Sequence, residues 1–359
     1  MTVDDLPTPA LLVDLDVLER NVERWQIEAT AHGARFRPHV KTHKTIELAR
    51  MQLGAGACGL TVAKVSEAEV YVAAGFDDIV VAYPVAAADA ARRLAALAAQ
   101  ARIGVNVENQ VAAEVLSRAA ASAGVELDVY LDLDTGLGRC GVPVDDLAAA
   151  RALADAVAQL PGLRLHGLTT YRGAGFAGAP DPATAGRAEA ELVVAVAGEL
   201  DLREVAAGST PSGRAVAAAP GVTEVRAGTY VFNDLMQQGW GAAEPEDCAL
   251  TILTTVVSAQ REGRVTVDGG SKTFSGDAAL RGDGGSAAYA RSRDGAITID
   301  GLTEEHGVGS AQRAVRVGER IGFVPAHVCT TVNLSDELFA VRGDRVEAVW
   351  PVAARGRRS

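Results

Sequence analysis

Lysine is scarce in this chain: Lys41, Lys44, Lys64 and Lys272 stand against thirty arginines. An amine can lose its proton and attack a carbonyl, whereas a guanidinium cannot, so a lysine kept against that bias is a candidate for amine chemistry. Composition alone leaves solvated surface lysines as an equal reading. Two of the four share one segment, Arg37-Pro-His-Val-Lys-Thr-His-Lys44, which closes an apolar stretch. A second candidate is His327-Val-Cys329, at the end of an apolar β run. Residues two apart on an extended strand face the same way, so imidazole and thiolate could converge on one ion, and N plus S ligation suits Zn²⁺. Spacing alone favours a plainer account, a buried thiol and a hydrogen-bonded imidazole. Two turns, Gly208-Ser-Thr-Pro-Ser212 and Arg226-Ala-Gly-Thr-Tyr230, expose N–H and hydroxyl donors of the kind that hold an anion.

These residues need elements to position them. Apolar extended segments at 35–40, 58–62, 78–83, 103–107, 127–133, 163–171, 204–208 and 223–226 alternate with Ala-rich helical stretches at 86–102, 110–123, 144–159 and 184–200. Repeated βα units of this kind predict a parallel sheet closed as a (β/α)8 TIM barrel. A doubly wound open sheet would give similar local signals, but Gly136-Leu-Gly138 lacks the third glycine of a dinucleotide fingerprint. Beyond about residue 241 the texture turns to short β runs (249–259, 264–267, 296–299, 320–324, 345–352) with little helical periodicity. The expected division is a barrel over 1–240 and a β domain with the metal pair over 241–359, with the first few residues able to pack on the β domain. The Gly-, Ala- and Asp-rich stretch 275–293 reads as a loop.

On this strand count the unusual residues all follow strand C-termini, the face on which barrel enzymes carry their sites. Lys41 follows the first strand, Asp134-Thr-Gly-Leu-Gly-Arg-Cys-Gly-Val142 the fifth, Tyr171-Arg-Gly173 the sixth, and the two donor-rich turns the seventh and eighth. Barrels commonly bind phosphate after strands seven and eight. Two such turns with a lone lysine across the barrel mouth point to a phosphorylated aldehyde held as a Schiff base, pyridoxal 5′-phosphate (PLP).

The same residues carry a resemblance that runs nearly end to end. The opening Thr8-Pro-Ala-Leu-Leu-Val-Asp-Leu-Asp16 with Asn21, the lysine motif 37–44, Ala63-Lys-Val-Ser-Glu-Ala-Glu69, Asp268-Gly-Gly-Ser-Lys272, Glu304-Glu-His-Gly307 and Pro325-Ala-His-Val-Cys-Thr-Thr-Val332 resemble the D-serine dehydratase and D-threonine aldolase family of fold-type III, alanine-racemase-like PLP enzymes. The resemblance implies that Lys41 is the Schiff-base lysine and Lys44 a supporting or surface residue. It implies that Arg139 touches the cofactor phenolate, that Tyr171 packs on the pyridine ring, and that Arg226 sits near the ring nitrogen. Ser209, Thr210, Gly228, Thr229 and Tyr230 would then hold the phosphate. An arginine at the ring nitrogen disfavours its protonation. The resemblance also makes His327 and Cys329 a catalytic metal pair, for Zn²⁺, or Mn²⁺ in an aldolase-like enzyme. D-threonine aldolases typically continue His-Cys-Asp with Asp as second ligand, whereas this chain has Thr330, which leans toward a dehydratase-like site. His306 is expected to be structural, and His39 and His43 to support the lysine loop. Many relatives carry His after the Tyr-x-Gly turn where this chain has Ala174.

The implied chemistry is lysis of small D-configured β-hydroxy amino acids, with elimination to keto acid and ammonia as the first reading and retro-aldol cleavage to glycine and aldehyde as the second. A racemase would need a second base, usually a tyrosine of the β domain, and the only tyrosine beyond the barrel is Tyr289. A non-catalytic PLP carrier would be a barrel alone, without the β domain. Relatives complete each site with a partner's β domain, so a homodimer is expected. A net charge of −12 argues against nucleic acid and anionic membrane as partners. Four cysteines without a CxxC pair and an acidic start suit a reducing, cytoplasmic setting.

Overall fold

A computed structural model of the chain describes residues 1–173, 181–279 and 288–359. It divides into two compact units, one of Met1–Arg24, Thr42–Leu48 and Thr229–Gly356, the other of Trp25–Lys41, Ala49–Gly228 and Arg357–Ser359. Among the described residues no helix is long and apolar enough to cross a membrane.

The second unit is built on eight parallel strands: Arg35–Phe36, Leu60–Val62, Asp78–Pro84, Arg102–Val107, Leu127–Asp134, Leu163–Thr170, Glu204–Ala207 and Glu224–Val225. They pair in chain order, and the last returns to pair with the first. The ring closes through the parallel bridge His39–Thr61 and the bond from Thr61 N–H to Pro38 O at 2.8 Å. This is the expected alanine-racemase-like (β/α)8 barrel. Its strands are Val-, Ile- and Leu-rich and buried on both faces, as parallel strands covered by helices must be. The helices Ala88–Ala98, Gln110–Ala123, Leu147–Gln159 and Pro182–Glu199 fall in the expected Ala-rich stretches. The first strand is shorter than the expected 35–40. Pro38 has no N–H to give a ladder, and Val40–Thr42 closes into a 3₁₀ turn that holds Lys41.

The first unit is a mostly antiparallel sheet in which Ala10–Asp14 pairs antiparallel with Leu250–Ser258 on one side and parallel with Glu337–Arg342 on the other. Six strands close on themselves: Leu250–Ser258, Arg264–Val267, Gly307–Ala311, Ile297–Leu302, Ala290–Ser292 and Arg320–Pro325. Two sequence expectations are corrected here. Ala290–Ser292, placed in the loop at 275–293, is a strand paired on both sides. Residues 280–287 of that stretch, like Ala174, lie outside the described residues. His327-Val-Cys329 is not extended: the strand ends at Pro325, His327 is the N-cap, and Cys329 is the second residue of the helix Val328–Asn333. The reason is a buried carboxylate distant in sequence. Asp234 accepts from Val328 N–H at 3.0 Å, while Thr331 Oγ1 donates to His327 O at 3.0 Å.

Candidate active site

In the barrel unit the residues singled out in the sequence stand at strand C-termini. Lys41 follows the first strand through its 3₁₀ turn, and its backbone N–H donates to His39 Nδ1 at 3.4 Å, which gives His39 the expected loop-supporting role. Tyr171 follows Leu163–Thr170 and is partly exposed. Two cations approach its ring, with Lys41 Nζ 5.8 Å and Arg139 Cζ 5.1 Å from the centroid. The loop that carries Arg139 is wound around one carboxylate: Asp134 accepts the N–H groups of Gly136, Leu137 and Gly138 at 2.8–3.1 Å. Burial opposes ionisation of Asp134, but those three donors hold its carboxyl below the usual range. The structure therefore brings Lys41, Tyr171 and Arg139 together.

Ser209 and Thr210 begin the turn after Glu204–Ala207 and are both buried. Ser209 Oγ and Ser212 Oγ lie 2.9 Å apart, and Glu189 stands behind them, accepting from Arg172 N–H at 3.1 Å. Burial pushes the Glu189 carboxyl up to about 7 against that donor, a second from Gly208 N–H and the Arg172 charge. Arg226 follows the last strand, buried, with Nε on Glu224 Oε1 at 2.8 Å and Cζ 4.5 Å from the centre of the Tyr130 ring. Its Nη2 is buried without a hydrogen-bond partner among the described residues. A buried guanidinium N–H facing no acceptor is costly, and the ring nitrogen of a pyridine would satisfy it. The residues present therefore fit PLP. Gly228 ends this unit; Thr229 and the fully buried Tyr230 belong to the other, in the 3₁₀ turn Thr229–Val231.

In the β unit His327 Nδ1 lies 2.8 Å from Asp277 Oδ2, and Thr330 Oγ1 donates to the same oxygen at 2.9 Å. Cys329 Sγ lies 3.3 Å from Thr42 Oγ1 and 3.9 Å from Thr229 Oγ1. Burial alone would lower the His327 imidazole, but the hydrogen bond and charge of Cys329, with Asp234 and Asp277, raise it to about 10. Among the described residues no three His, Cys, Asp or Glu side chains form a group that could hold a metal ion, and a pair such as His327 and Cys329 would leave positions for water and substrate. With Nδ1 tied to Asp277, His327 Nε2 is the nitrogen that remains, the usual arrangement of a metal-bound imidazole and its carboxylate. The donor set fits Zn²⁺.

The remaining motif residues are structural. Thr8 Oγ1 donates to Asp268 Oδ2 at 2.5 Å, which joins two of the motifs, and Asn21 Nδ2 donates to Asp247 O at 2.8 Å. His43 Nδ1 accepts from Thr45 N–H at 3.1 Å, and buried Lys44 Nζ donates to Asn333 Oδ1 at 2.8 Å. His306 is exposed in a turn, its Nδ1 3.4 Å from Thr303 Oγ1. Lys64 Nζ lies over the Tyr83 ring at 3.4 Å, and Lys272 pairs with Glu305 on the surface. The sequence reading missed Glu224 and Asp277. Glu224 carried a signal, since Glu-x-Arg on a strand puts both side chains on one face; Asp277 carried none.

A model described as the alanine racemase N-terminal domain matches residues 13–235, and a putative serine dehydratase domain matches 249–341. A D-threonine aldolase of Arthrobacter sp. is 34% identical over 97% of this chain and 93% of its own length. The chain belongs to the fold-type III, alanine-racemase-like family of PLP-dependent lyases. Within this family, D-threo-3-hydroxyaspartate dehydratase of Delftia sp. is 33% identical over 97% of this chain and 98% of its own. The solved D-threonine aldolase of Filomicrobium marinum is 31% identical, covers 100% of this chain and 98% of its own, and superposes with a TM-score of 0.88. A D-threo-3-hydroxyaspartate dehydratase, 31% identical with a TM-score of 0.88, has been solved as a histidine-to-alanine variant and, two positions further on, as a cysteine-to-alanine variant in the metal-free form.

Proposed function

We propose that this chain is a PLP- and divalent-metal-dependent lyase of small D-configured β-hydroxy amino acids, with dehydration to keto acid and ammonia as its reaction. The observation that carries the dehydratase reading is the helix start at His327. The side chain after Cys329 is Thr330, whose hydroxyl is spent on Asp277 and on His327 O, so cysteine is the second available ligand. Retro-aldol cleavage to glycine and an aldehyde is the second reading, favoured by the likeness to D-threonine aldolases.

Lys41, Arg139, Tyr171, Ser209, Thr210, Arg226, Gly228, Thr229 and Tyr230 would hold PLP, which supplies an electron sink for a bond broken at the substrate α-carbon. His327 and Cys329 would hold the ion, whose chemistry at a hydroxyl is that of a Lewis acid. The chain's own part follows from its residues. The Lys41 amine, once free, takes the α-proton as a general base. Arg226 Nη2 would be the donor toward the ring nitrogen, which disfavours its protonation. Tyr171 would cover the site beside Lys41 and Arg139, and the Ser209–Thr210 turn would supply donors to the phosphate. In dehydration the substrate hydroxyl leaves as water and one water is taken up again when the enamine product hydrolyses, so the net products are one keto acid and one ammonia per substrate; cleavage gives glycine and aldehyde and starts from deprotonation of the hydroxyl.

The test is a panel of D-serine, D-threonine and D-3-hydroxyaspartate given to the holoenzyme. Keto acid and ammonia from at least one is the expected result. Glycine and aldehyde alone would replace the dehydratase reading with the aldolase one, and interconversion of D- and L-alanine at comparable turnover would overturn both. A homodimer is proposed as the working state, and sedimentation of a fully active monomer would contradict it.

A further inference from the structure

Arg226 does not stand alone in the barrel. Glu224, two residues before it on the last strand and 1% exposed, accepts from Arg226 Nε through Oε1 at 2.8 Å and from Arg37 Nε through Oε2 at 2.9 Å. Arg37 is itself buried, and its Nη1 reaches Asp78 Oδ1 at 2.6 Å. It is packed so closely that a Cβ on Gly59 would stand 2.1 Å from Nη1 and 2.7 Å from Asp78 O, so the neighbouring strand must carry glycine there. Arg37 opens the segment that ends in Lys41, and Pro38 between them fixes the chain direction. The far side of Arg226 rests on the Tyr130 ring, and Nη1 lies 3.4 Å from Thr169 Oγ1. Three contacts therefore set the guanidinium plane, and the group left over is Nη2, buried and without a hydrogen-bond partner among the described residues.

We propose that Glu224 is a positioning residue: by bridging Arg226 and Arg37 it aims Arg226 Nη2 at the cofactor ring nitrogen and couples that aim to the strand that delivers Lys41. The proposal rests on the PLP reading given above. A carboxylate is needed at 224 because it presents two acceptors at once. A glutamine offers one acceptor and one donor, so it can serve only one arginine and turns its amide against the other. Removing the charge also leaves two buried guanidinium groups with less compensation, which frees Arg226 to leave its plane.

The experiment compares wild-type, Glu224→Gln and Glu224→Asp proteins by PLP titration, visible absorption of the bound cofactor and steady-state turnover. Expected for Glu224→Gln is a loss of about tenfold or more in PLP affinity, a shifted absorption band, and a fall of about tenfold in kcat with KM changed by less than about threefold. Glu224→Asp keeps the charge but is too short to span both arginines, and the same losses are expected; it carries the test alone should Glu224→Gln not fold. Adding Arg37→Gln to Glu224→Gln lets the new amide give its oxygen to Arg226, and PLP affinity is expected to recover toward the wild-type value, which a merely structural role would not produce. Either folded single variant with PLP affinity, absorption band and kcat within about threefold of wild type overturns the proposal. A wild-type protein with no PLP band would instead overturn the reading on which it rests.

Discussion

A lysine spared by a composition that replaces almost every other one with arginine is a chemical statement at a single position, and Lys41 is the position where it has structural company. Its Nζ shares the Tyr171 ring with Arg139, and its own N–H is steadied by His39. Lys41→Ala is expected to abolish the visible Schiff-base band and to lower turnover by roughly 10²–10⁴-fold, the worth of a positioned base; absorption and steady-state kinetics check both. Asp277→Asn is expected to weaken metal binding by roughly 10–100-fold, because the carboxylate that orients His327 Nδ1 is gone while both ligands remain. Competition with a chromogenic chelator reads that loss without reference to activity. The residues proposed to touch cofactor and metal were legible because their types are chemically unusual in this chain. The residues that aim them, Glu224 and Asp277, were not, because a carboxylate among 46 acidic residues acquires meaning only from its neighbours.

At the scale of elements, the βα period placed all eight barrel strands, and with them the C-terminal ends from which Lys41, Arg139, Tyr171, Ser209 and Arg226 project. Where local signals failed, a distant group had intervened. His327 to Cys329 reads as strand by its apolar surroundings, yet buried Asp234 caps two helices at once, accepting from Gln237 N–H at 2.9 Å and Val328 N–H at 3.0 Å. Asp234→Ala is expected to cost roughly 1–4 kcal/mol, two caps at about 0.5–2 kcal/mol each, and to weaken metal binding as the His327 turn loosens. Urea unfolding and the chelator assay check the two parts. Had Asp234 been absent, the strand reading of this segment would have had no competitor.

Taken over the whole molecule, ion pairs link the strands of the barrel unit. Arg164 meets Asp128, Asp128 meets Arg102, Arg102 meets Asp78, Asp78 meets Arg37 and Arg37 meets Glu224, at 2.5–3.5 Å. Arginine suits this role because its planar fork satisfies two carboxylates at once, which gives the arginine bias a structural use. Buried carboxylates in this unit also set its response to pH. Glu189, ordinarily near 4.5, titrates at about 7 when folded, so the folded state binds the extra proton and its contribution to stability is present below 4.5 and lost as pH rises to about 7. Glu189→Gln is therefore expected to raise stability by roughly 1–3 kcal/mol at pH 8 and to change it little at pH 4, as measured by denaturant unfolding. Glu224 runs the other way: burial opposes its charge, but Arg226 and Arg37 hold it down to about 2, so its contribution is present above 4.5 and lost as pH falls toward 2.

By itself the sequence determined the barrel and its strand order and singled out the lysine and the His-x-Cys pair as candidates, because hydrophobic period and rare side-chain chemistry are properties of residues read one after another. Only the tertiary structure decided that Ala10–Asp14 is a strand between Leu250–Ser258 and Glu337–Arg342, that Asp277 and not Thr330 stands behind His327, and that Glu224 joins Arg37 to Arg226. Each of these is a pairing between residues far apart in the chain, and such a pairing leaves no periodicity or spacing for a linear reading to find.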